Sequence, residues 1–414
     1  MNRIAQFIIL LIFIQATSLQ SQNNKISLER AVETSLKNNP ALKQWEARLK
    51  AKKQERKLAY GIENPELTYF KEGINDNTTP AFDEQRIAIS QSVDFPLKSI
   101  YKVKKSKGEY RVLEMQFLAF KRNLTANVKR LYVDLLYAIY YQKLTGEQFT
   151  LAKNLNDAVQ SRAEAGAGTG MDQLKAEIQL AKAKNDIDYA ERILHQARYE
   201  LFNVMGLGED DQKYTIAFDD TLRTKNDVID QDAALEFTSK HPNYTSYVEK
   251  QRAAEYGVKA AKSGYLPDIS FSLYQQDYGD GYDFTGFEVG LSIPLWFTIN
   301  QHVKTQQALA KLEEFQWKQK EVLLNMKMQI EHAWHNYEAS KQNLERFKEI
   351  IAIKSDKLRS LTLEAYKLGE IDLLNLLNAQ QLYLDTRKNY LKVLQDYYLQ
   401  LIELEKYMNK EIVY

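Results

Sequence analysis

Two hydrophobic periods alternate along this chain. In RIAISQSVDFP, 86–96, the residues Ile87, Ile89, Val93 and Phe95 fall on one side of a two-residue repeat, and Arg86, Ala88, Ser90, Ser92 and Asp94 on the other. That is the pattern of a strand with one oily and one polar face. In PDISFSLYQQ, Ile269, Phe271 and Leu273 oppose Asp268, Ser270 and Ser272. In FEVGLSIPLW, Phe287, Val289, Leu291 and Ile293 oppose Glu288, Gly290 and Ser292. With PELTYFKEGI, this predicts strands near 65–74, 86–96, 267–276 and 284–296. Polar, Gly/Asp-rich loops separate the members of each pair, as turns require.

The rest of the chain carries the helical period. Stepping from Leu323 by threes and fours gives Leu323, Met326, Ile330, Ala333, Tyr337, Ser340, Leu344, Phe347, Ile351, Lys354, Leu358, Leu361 and Ala365. All but Ser340 and Lys354 are apolar or Tyr, which makes a heptad seam for coiled-coil packing. No Pro or Gly occurs between Pro294 and Gly369, so a single helix of about 105 Å is expected there. A first long helix, from Pro96 to Gly166, is interrupted early by Gly108 and Gly146. Shorter helices follow the turns at Gly166 and Gly369, giving helical hairpins over 98–206 and 298–409.

The pattern occurs twice. Pro40 and Pro65 in the first half stand at the same spacing as Pro242 and Pro267 in the second, and Gly166 corresponds to Gly369. Two structural repeats are therefore expected, 23–210 and 228–414. Asn39-Pro40 places a capping Asn before a proline suited to the first helical position, and His241-Pro242 repeats the break with a poorer cap. Pro65 and Pro267 each end a helix and lead into a strand, because the residue before proline is pushed out of the helical region.

Composition narrows the function. The 414 residues carry a net charge of +1, so no basic field argues for nucleic acid. The absence of cysteine removes disulfides, thiol catalysis and a lipid attached through an N-terminal cysteine. The opening MNRIAQFIILLIFIQATSLQSQ, 1–22, has Arg3, an apolar run over 4–14 and then small residues. It is expected to be a secretory signal peptide, since the apolar run is shorter than the ~20 residues of a membrane span.

An exported chain with amphipathic strands of about ten residues and no helical span fits a tilted membrane β-strand. Ile87, Ile89, Val93, Ile269, Phe271, Leu273, Val289 and Leu291 are then expected to face lipid, with Trp296 and Phe297 in an aromatic girdle. The alternative is a small soluble sheet with its oily face on a helix. Four strands cannot close a barrel, and an open edge in lipid is untenable. The chain must oligomerise: a dimer gives eight strands and a filled interior, a trimer twelve and a passage.

The NNPAL and LPDISF openings, the FPL and IPLW strand exits, and the paired turns AGAGTGMDQLKAE and YKLGEIDLLNLLNAQ resemble the TolC family of bacterial outer-membrane efflux proteins over the whole mature chain. The resemblance implies a mainly α fold with membrane β-strands. Three copies make a twelve-stranded barrel in the outer membrane, continued by a helical α-barrel into the periplasm. It implies docking to a periplasmic adaptor and an inner-membrane pump, through tips at Gly166 and Gly369. It implies a conduit and not an enzyme, with no cofactor. A family latch carries over as Asp172 and Tyr366. The alternative for these two is a helix cap and a packing residue. Asn375 and Asn378 stand where some members carry an aspartate ring, so no strong cation block is expected at this mouth.

Other motifs carry less. GAGTG, 166–170, lacks the Lys-Ser/Thr of a phosphate loop and reads as a hairpin turn. His332 and His335 share a helical face at metal-ligand spacing, but read as a surface pair. DYGDGYD, 277–283, lacks a full calcium-loop signature. Lys98, Lys102, Lys104, Lys105 and Lys107 give the first long helix a basic start, read as solvated helix, with anionic headgroups or cargo as the minor option. The leading expectation is the exit duct of a tripartite efflux system. The compact length and NPELTYF point to metal cations among its cargo, with drugs also in view. The alternatives are the same duct in a type I peptide or protein exporter, and a periplasmic coiled-coil adaptor.

Overall fold

The structure is a computed structural model that describes residues 25–74, 82–166, 169–208, 217–219, 222, 224, 230–279, 282–348, 352–408 and 411–414. The expected signal peptide lies outside these residues. In chain order come β1 (Lys25–Ile26), α1 (Leu28–Asn38), α2 (Pro40–Glu55), β2 (Glu66–Glu72) and β3 (Glu84–Val93). Next come α3 (Pro96–Glu164), α4 (Gly170–Met205), β4 (Ala217–Phe218), α5 (Gln231–Phe237) and α6 (Pro242–Ser263). Then come β5 (Asp268–Asp277), β6 (Asp283–Ser292), α7 (Asn300–Arg346), α8 (Ala352–Lys367) and α9 (Leu373–Lys406). No described helix is long and apolar enough to cross a membrane.

Proline and its caps act as read. Asn39 Oδ1 accepts from the Leu42 N–H at 3.1 Å at the start of α2. His241 Nδ1 accepts from Asn243 N–H at 3.2 Å at the start of α6. The helical run of α2 ends earlier than expected, in a 3-10 turn over Arg56–Tyr60 closed by Gly61 at φ 68°. Strands β3 and β6 stop at Val93 and Ser292, short of residue 96 in one case and 296 in the other. Pro294 has no N–H to extend a ladder, and Pro96 already belongs to α3.

Gly108 and Gly146 do not interrupt α3, which runs unbroken from Pro96 to Glu164. A Cβ on Gly108 would lie 2.9 Å from Ala253 Cβ of α6, so this glycine serves close helix approach. The second long helix departs from expectation in the opposite way. It is divided into α7 and α8, with a π-helical turn at residues 347–348. Met326, Ile330, Ala333, Tyr337, Ser340 and Leu344 are buried along the expected seam. Beyond the turn, Lys354, Leu358 and Leu361 are exposed, and Ser355 is buried instead. The buried position beyond the turn thus falls one residue later than the heptad predicts.

The described chain divides into two compact units, each drawn from both halves of the sequence. One comprises the described residues of 43–120 and 236–328 and holds the sheet β2–β3–β5–β6; the other comprises those of 25–42, 121–235 and 329–414. In the second unit β1 and β4 pair in parallel. Tyr132, fully buried, sets its hydroxyl 2.8 Å and 2.7 Å from the carbonyls of Ile26 and Asp219. Lys129 of α3, 1% exposed, donates to Glu405 Oε1 at 2.5 Å and to the Val413 carbonyl at 2.6 Å. Glu405 Oε2 accepts from the N–H groups of Ile412 and Val413. Nothing in the sequence periodicity marks this lysine as buried.

Candidate functional site

The sheet is antiparallel throughout, in the order β2–β3–β5–β6. Residues paired across an antiparallel ladder share a face. One row aligns Leu67, Ile89, Leu273 and Phe287. The adjacent rows bring Val93, Ile269 and Leu291, then Gln91, Phe271 and Val289, then Tyr69, Ile87, Gln275 and Thr285 to the same side. All eight expected lipid-facing residues therefore share one face, formed from both halves of the chain. Ile87, Ile89, Phe271, Leu273, Val289 and Leu291 are exposed there, while Val93 and Ile269 are half-buried. The face ends towards the loops in a polar row of Lys71, Gln85, Asp277 and Asp283. At its other end follow Leu295, Trp296 and Phe297, with Trp296 73% exposed.

The opposite face is mainly polar, with Phe70 and Phe284 exposed at the two ends of its Arg86 row. Glu66, Ser90, Ser272 and Glu288 form one of its rows. The Arg86 guanidinium lies 4.0 Å over the Tyr274 ring and donates to Glu288 at 3.2 Å. A Cβ on Gly286 would come within 2.5 Å of that ring, so the tyrosine occupies the space a side chain would take. In the β5–β6 turn, Asp277 accepts from Gly279 N–H at 2.7 Å and from Gln85 at 2.9 Å. Asp280 and Gly281 of the DYGDGYD motif lie outside the described residues.

The second candidate region is the pair of helix tips. Gly166 and Gly369 adopt φ 72° and 77°, and a Cβ on either would meet nothing within 4 Å. Backbone conformation, not crowding, selects glycine at both. Ala167 and Gly168 of the first tip lie outside the described residues. Beneath the turns, Leu155, Val159, Ala176, Leu373 and Leu376 form a buried cluster, with Leu363, Tyr366 and Leu377 packed against it. Ends of α3, α4, α8 and α9 thus meet in one apolar knot.

Asp172 and Tyr366 are engaged elsewhere than with each other. Thr169 is the N-cap of α4; its hydroxyl accepts from Asp172 N–H at 3.2 Å and donates to Asp172 Oδ2 at 2.7 Å. This Thr-x-x-Asp box is a local signature that sequence reading could have found. Tyr366 takes a hydrogen bond from Arg162 at 3.3 Å, and the guanidinium lies 5.7 Å from its ring centroid. The start of α9 mirrors that of α4: Asp372 caps it by accepting from Asn375 N–H at 2.8 Å. Asn375 and Asn378 both lie on the exposed side of α9. His332 and His335 are exposed on α7, and among the described residues no group of three or more candidate ligands forms.

Comparison with known proteins bears on both regions. Among solved structures, a membrane protein from Pseudomonas aeruginosa superposes with TM-score 0.79 at 16% identity, over 92% of this chain and 89% of that one. The Campylobacter jejuni CmeC outer membrane channel matches with TM-score 0.79 at 15% identity, over 92% and 85%. The Vibrio cholerae outer membrane protein VceC matches with TM-score 0.76 at 15% identity, over 91% and 94%. A curated relative, the fusaric acid resistance protein FusA of Burkholderia cepacia, is 23% identical over 229 residues, and the match spans 54% of this chain but 42% of that protein. The sequence model described as "Outer membrane efflux protein" matches residues 31–207 and 245–410, most of the length. The chain belongs to the outer membrane efflux protein family.

Proposed function

We propose that three copies of this chain form the outer-membrane duct of a tripartite efflux system, passive in itself and driven by an inner-membrane pump through a periplasmic adaptor. The observation that carries this reading is the sheet. It has one largely apolar face, broken by Gln91 on β3 and by Gln275 and Thr285 towards the loops, and two edges, β2 and β6, without a partner strand among the described residues. Such edges are costly in lipid, because each unpaired backbone group costs several kcal/mol. β2 and β6 run antiparallel to one another, so β6 of one copy meets β2 of the next as another antiparallel pair. Three copies give twelve strands and a passage, whereas eight give an interior that side chains fill.

On this reading Gly166 and Gly369 belong to tips that dock the adaptor, and Asp172, Tyr366, Asn375 and Asn378 line the periplasmic mouth. Metal cations and drugs remain the expected cargo classes, and a relative named for fusaric acid resistance adds organic acids. The same duct in a type I exporter is the second reading.

The absence of cysteine makes the test clean. Leu67→Cys on β2 is combined in turn with Thr285→Cys, Phe287→Cys, Val289→Cys and Leu291→Cys on β6, and membranes are oxidised. One register should yield a ladder ending at a covalent trimer on a non-reducing gel. A ladder ending at dimers, or no cross-link in any register, would overturn the twelve-stranded duct.

A further inference from the structure

A groove enclosing about 750 Å³ runs between α3, α6 and α7, all within the unit that holds the sheet. Its sides carry Lys98, Lys102 and Lys105 from α3, Lys250 from α6, and Lys304 and Lys311 from α7. Its floor is the small-residue face of α6, with Ala253, Ala254, Gly257, Ala260 and Ala261. Glu109 is the one carboxylate in the lining.

The charges are unevenly answered. Lys98 bonds both oxygens of Asp268 at 2.8 Å and lies 3.3 Å from Asp94, and Lys102 bonds Asp94 at 2.5 Å. Burial works against the Lys98 ammonium, but these carboxylates outweigh it and hold its pKa above the ordinary lysine value. Lys105 shares Glu109 with Lys52, at 3.8 Å and 3.0 Å. Among the described residues, Lys250, Lys304 and Lys311 have no carboxylate within ion-pair distance. Lys304 and Lys311 are exposed.

The side on which the groove opens follows from the strand register. Asp268 pairs with Ser292 in the polar set of the sheet, opposite Ile269 and Leu291, and Lys98 joins Asp268 to Asp94. In the barrel proposed above, on which this step rests, the apolar face meets lipid and the polar face lines the interior. The lysines anchored to Asp94 and Asp268 therefore border the passage.

The geometry points to a binding station for amphipathic organic anions in the duct wall, repeated three times around its axis. Ammonium groups at the rim hold a carboxylate, sulfonate or phosphate as point charges. The alanine and glycine floor takes the apolar body. Positive charge in a narrow passage with low-dielectric walls also concentrates anions there, an effect that salt weakens over a Debye length of about 8 Å.

The test uses purified trimers in planar bilayers of neutral phosphatidylcholine, with naphthalene-1,5-disulfonate as probe and an uncharged naphthalenediol as control. The disulfonate should reduce wild-type current at a concentration at least ~10-fold lower than in the Lys250→Gln, Lys304→Gln, Lys311→Gln triple variant. The diol should act equally on both, and the corresponding Lys→Arg triple variant should keep the wild-type response. Equal sensitivity of the wild type and the Gln variant to the disulfonate would overturn the station. So would loss of the block when phosphatidylglycerol enters the bilayer, because the lysines would then be holding lipid headgroups. Trimers that insert without any ion-conducting step would instead overturn the duct reading itself, and the station with it.

Discussion

The sheet and the helix tips are both built from the two halves of the chain, yet they are specified differently. In the sheet, a side chain has two choices of face, and the alternation leaves no freedom between them. Ile89 and Leu273 sit opposite each other because each is odd in its own alternation, and the ladder keeps the parity across strands. At the tips, helices deliver a crowd of polar groups to one small region, and spacing does not decide which donor meets which acceptor. Asp172 bonds Thr169 and Tyr366 bonds Arg162, although sequence distance from the tip glycines favours neither pairing.

The largest effects are expected where face is at stake. Ile89→Arg, Phe271→Arg or Leu291→Arg should each cost about 2–4 kcal/mol near the middle of the membrane. Trimers with heat-modifiable gel mobility should be depleted in outer-membrane fractions. Ser90→Arg, Ser272→Arg and Ser292→Arg, on the polar side, should assemble far better. Equal behaviour of the two sets would remove the sheet from the membrane and break the comparison at its stronger end.

The polar face has its own fixed point. Gly286→Val would drive a side chain into the Tyr274 ring, which a Cβ alone already approaches to 2.5 Å. Overpacking of this kind costs about 1–3 kcal/mol. The midpoint of thermal trimer dissociation should fall, and Tyr274→Ala in the same chain should recover part of the loss. If Gly286→Val leaves dissociation unchanged, the tyrosine does not lie across the glycine in the assembled barrel.

These two regions also show how far the sequence could be read. The strands, their faces, the tip glycines and the proline-started helices all follow from period, parity and backbone restrictions that act over a few residues. The π turn at residues 347–348 does not. No Pro or Gly announces it; Lys354 at a seam position just beyond it is the one break in the heptad there, and Ser355 is buried in its place. Lys129 is a similar case. It pairs with Glu405 of α9 and donates to the Val413 carbonyl, which the C-terminal residues bring back onto α3, and a lysine in a helical repeat reads as solvated until those contacts exist.

Smaller effects belong to the caps. Thr169→Ala and Asp372→Ala should each cost roughly 1 kcal/mol, the usual loss when a capping oxygen is removed. Limited proteolysis should report the loosening locally, as faster cleavage near residue 166 for the first variant and near residue 369 for the second. Asp172→Asn keeps an acceptor for the Thr169 hydroxyl and should be milder than Asp172→Ala. Cleavage rates that ignore Thr169→Ala would mean the first tip is held by the apolar knot alone.

The smallest free energy, and the sharpest use of the comparison, concerns Tyr366. Its bond from Arg162 is long, the arginine is exposed, and a cation over an aromatic ring at such a solvent-facing site contributes about 0.5–1 kcal/mol. Even that much would shift a mouth with open and closed states several-fold, since about 1.4 kcal/mol is a factor of ten. Single-channel conductance is therefore the readout. If Arg162 holds Tyr366 in the closed form, Arg162→Ala and Tyr366→Phe should raise conductance alike, and the double variant should add little to either. Asp172→Ala is ambiguous alone, because it also removes the acceptor of the Thr169 hydroxyl. Its cycle with Tyr366→Phe separates the two roles. Additive effects would leave Asp172 as a capping residue. Strong coupling would mean that the assembled mouth exchanges the arginine for the aspartate, so that the tip contacts within one chain differ from those in the trimer. Flat conductance across all these variants would take Tyr366 out of the gate and leave it as part of the apolar knot.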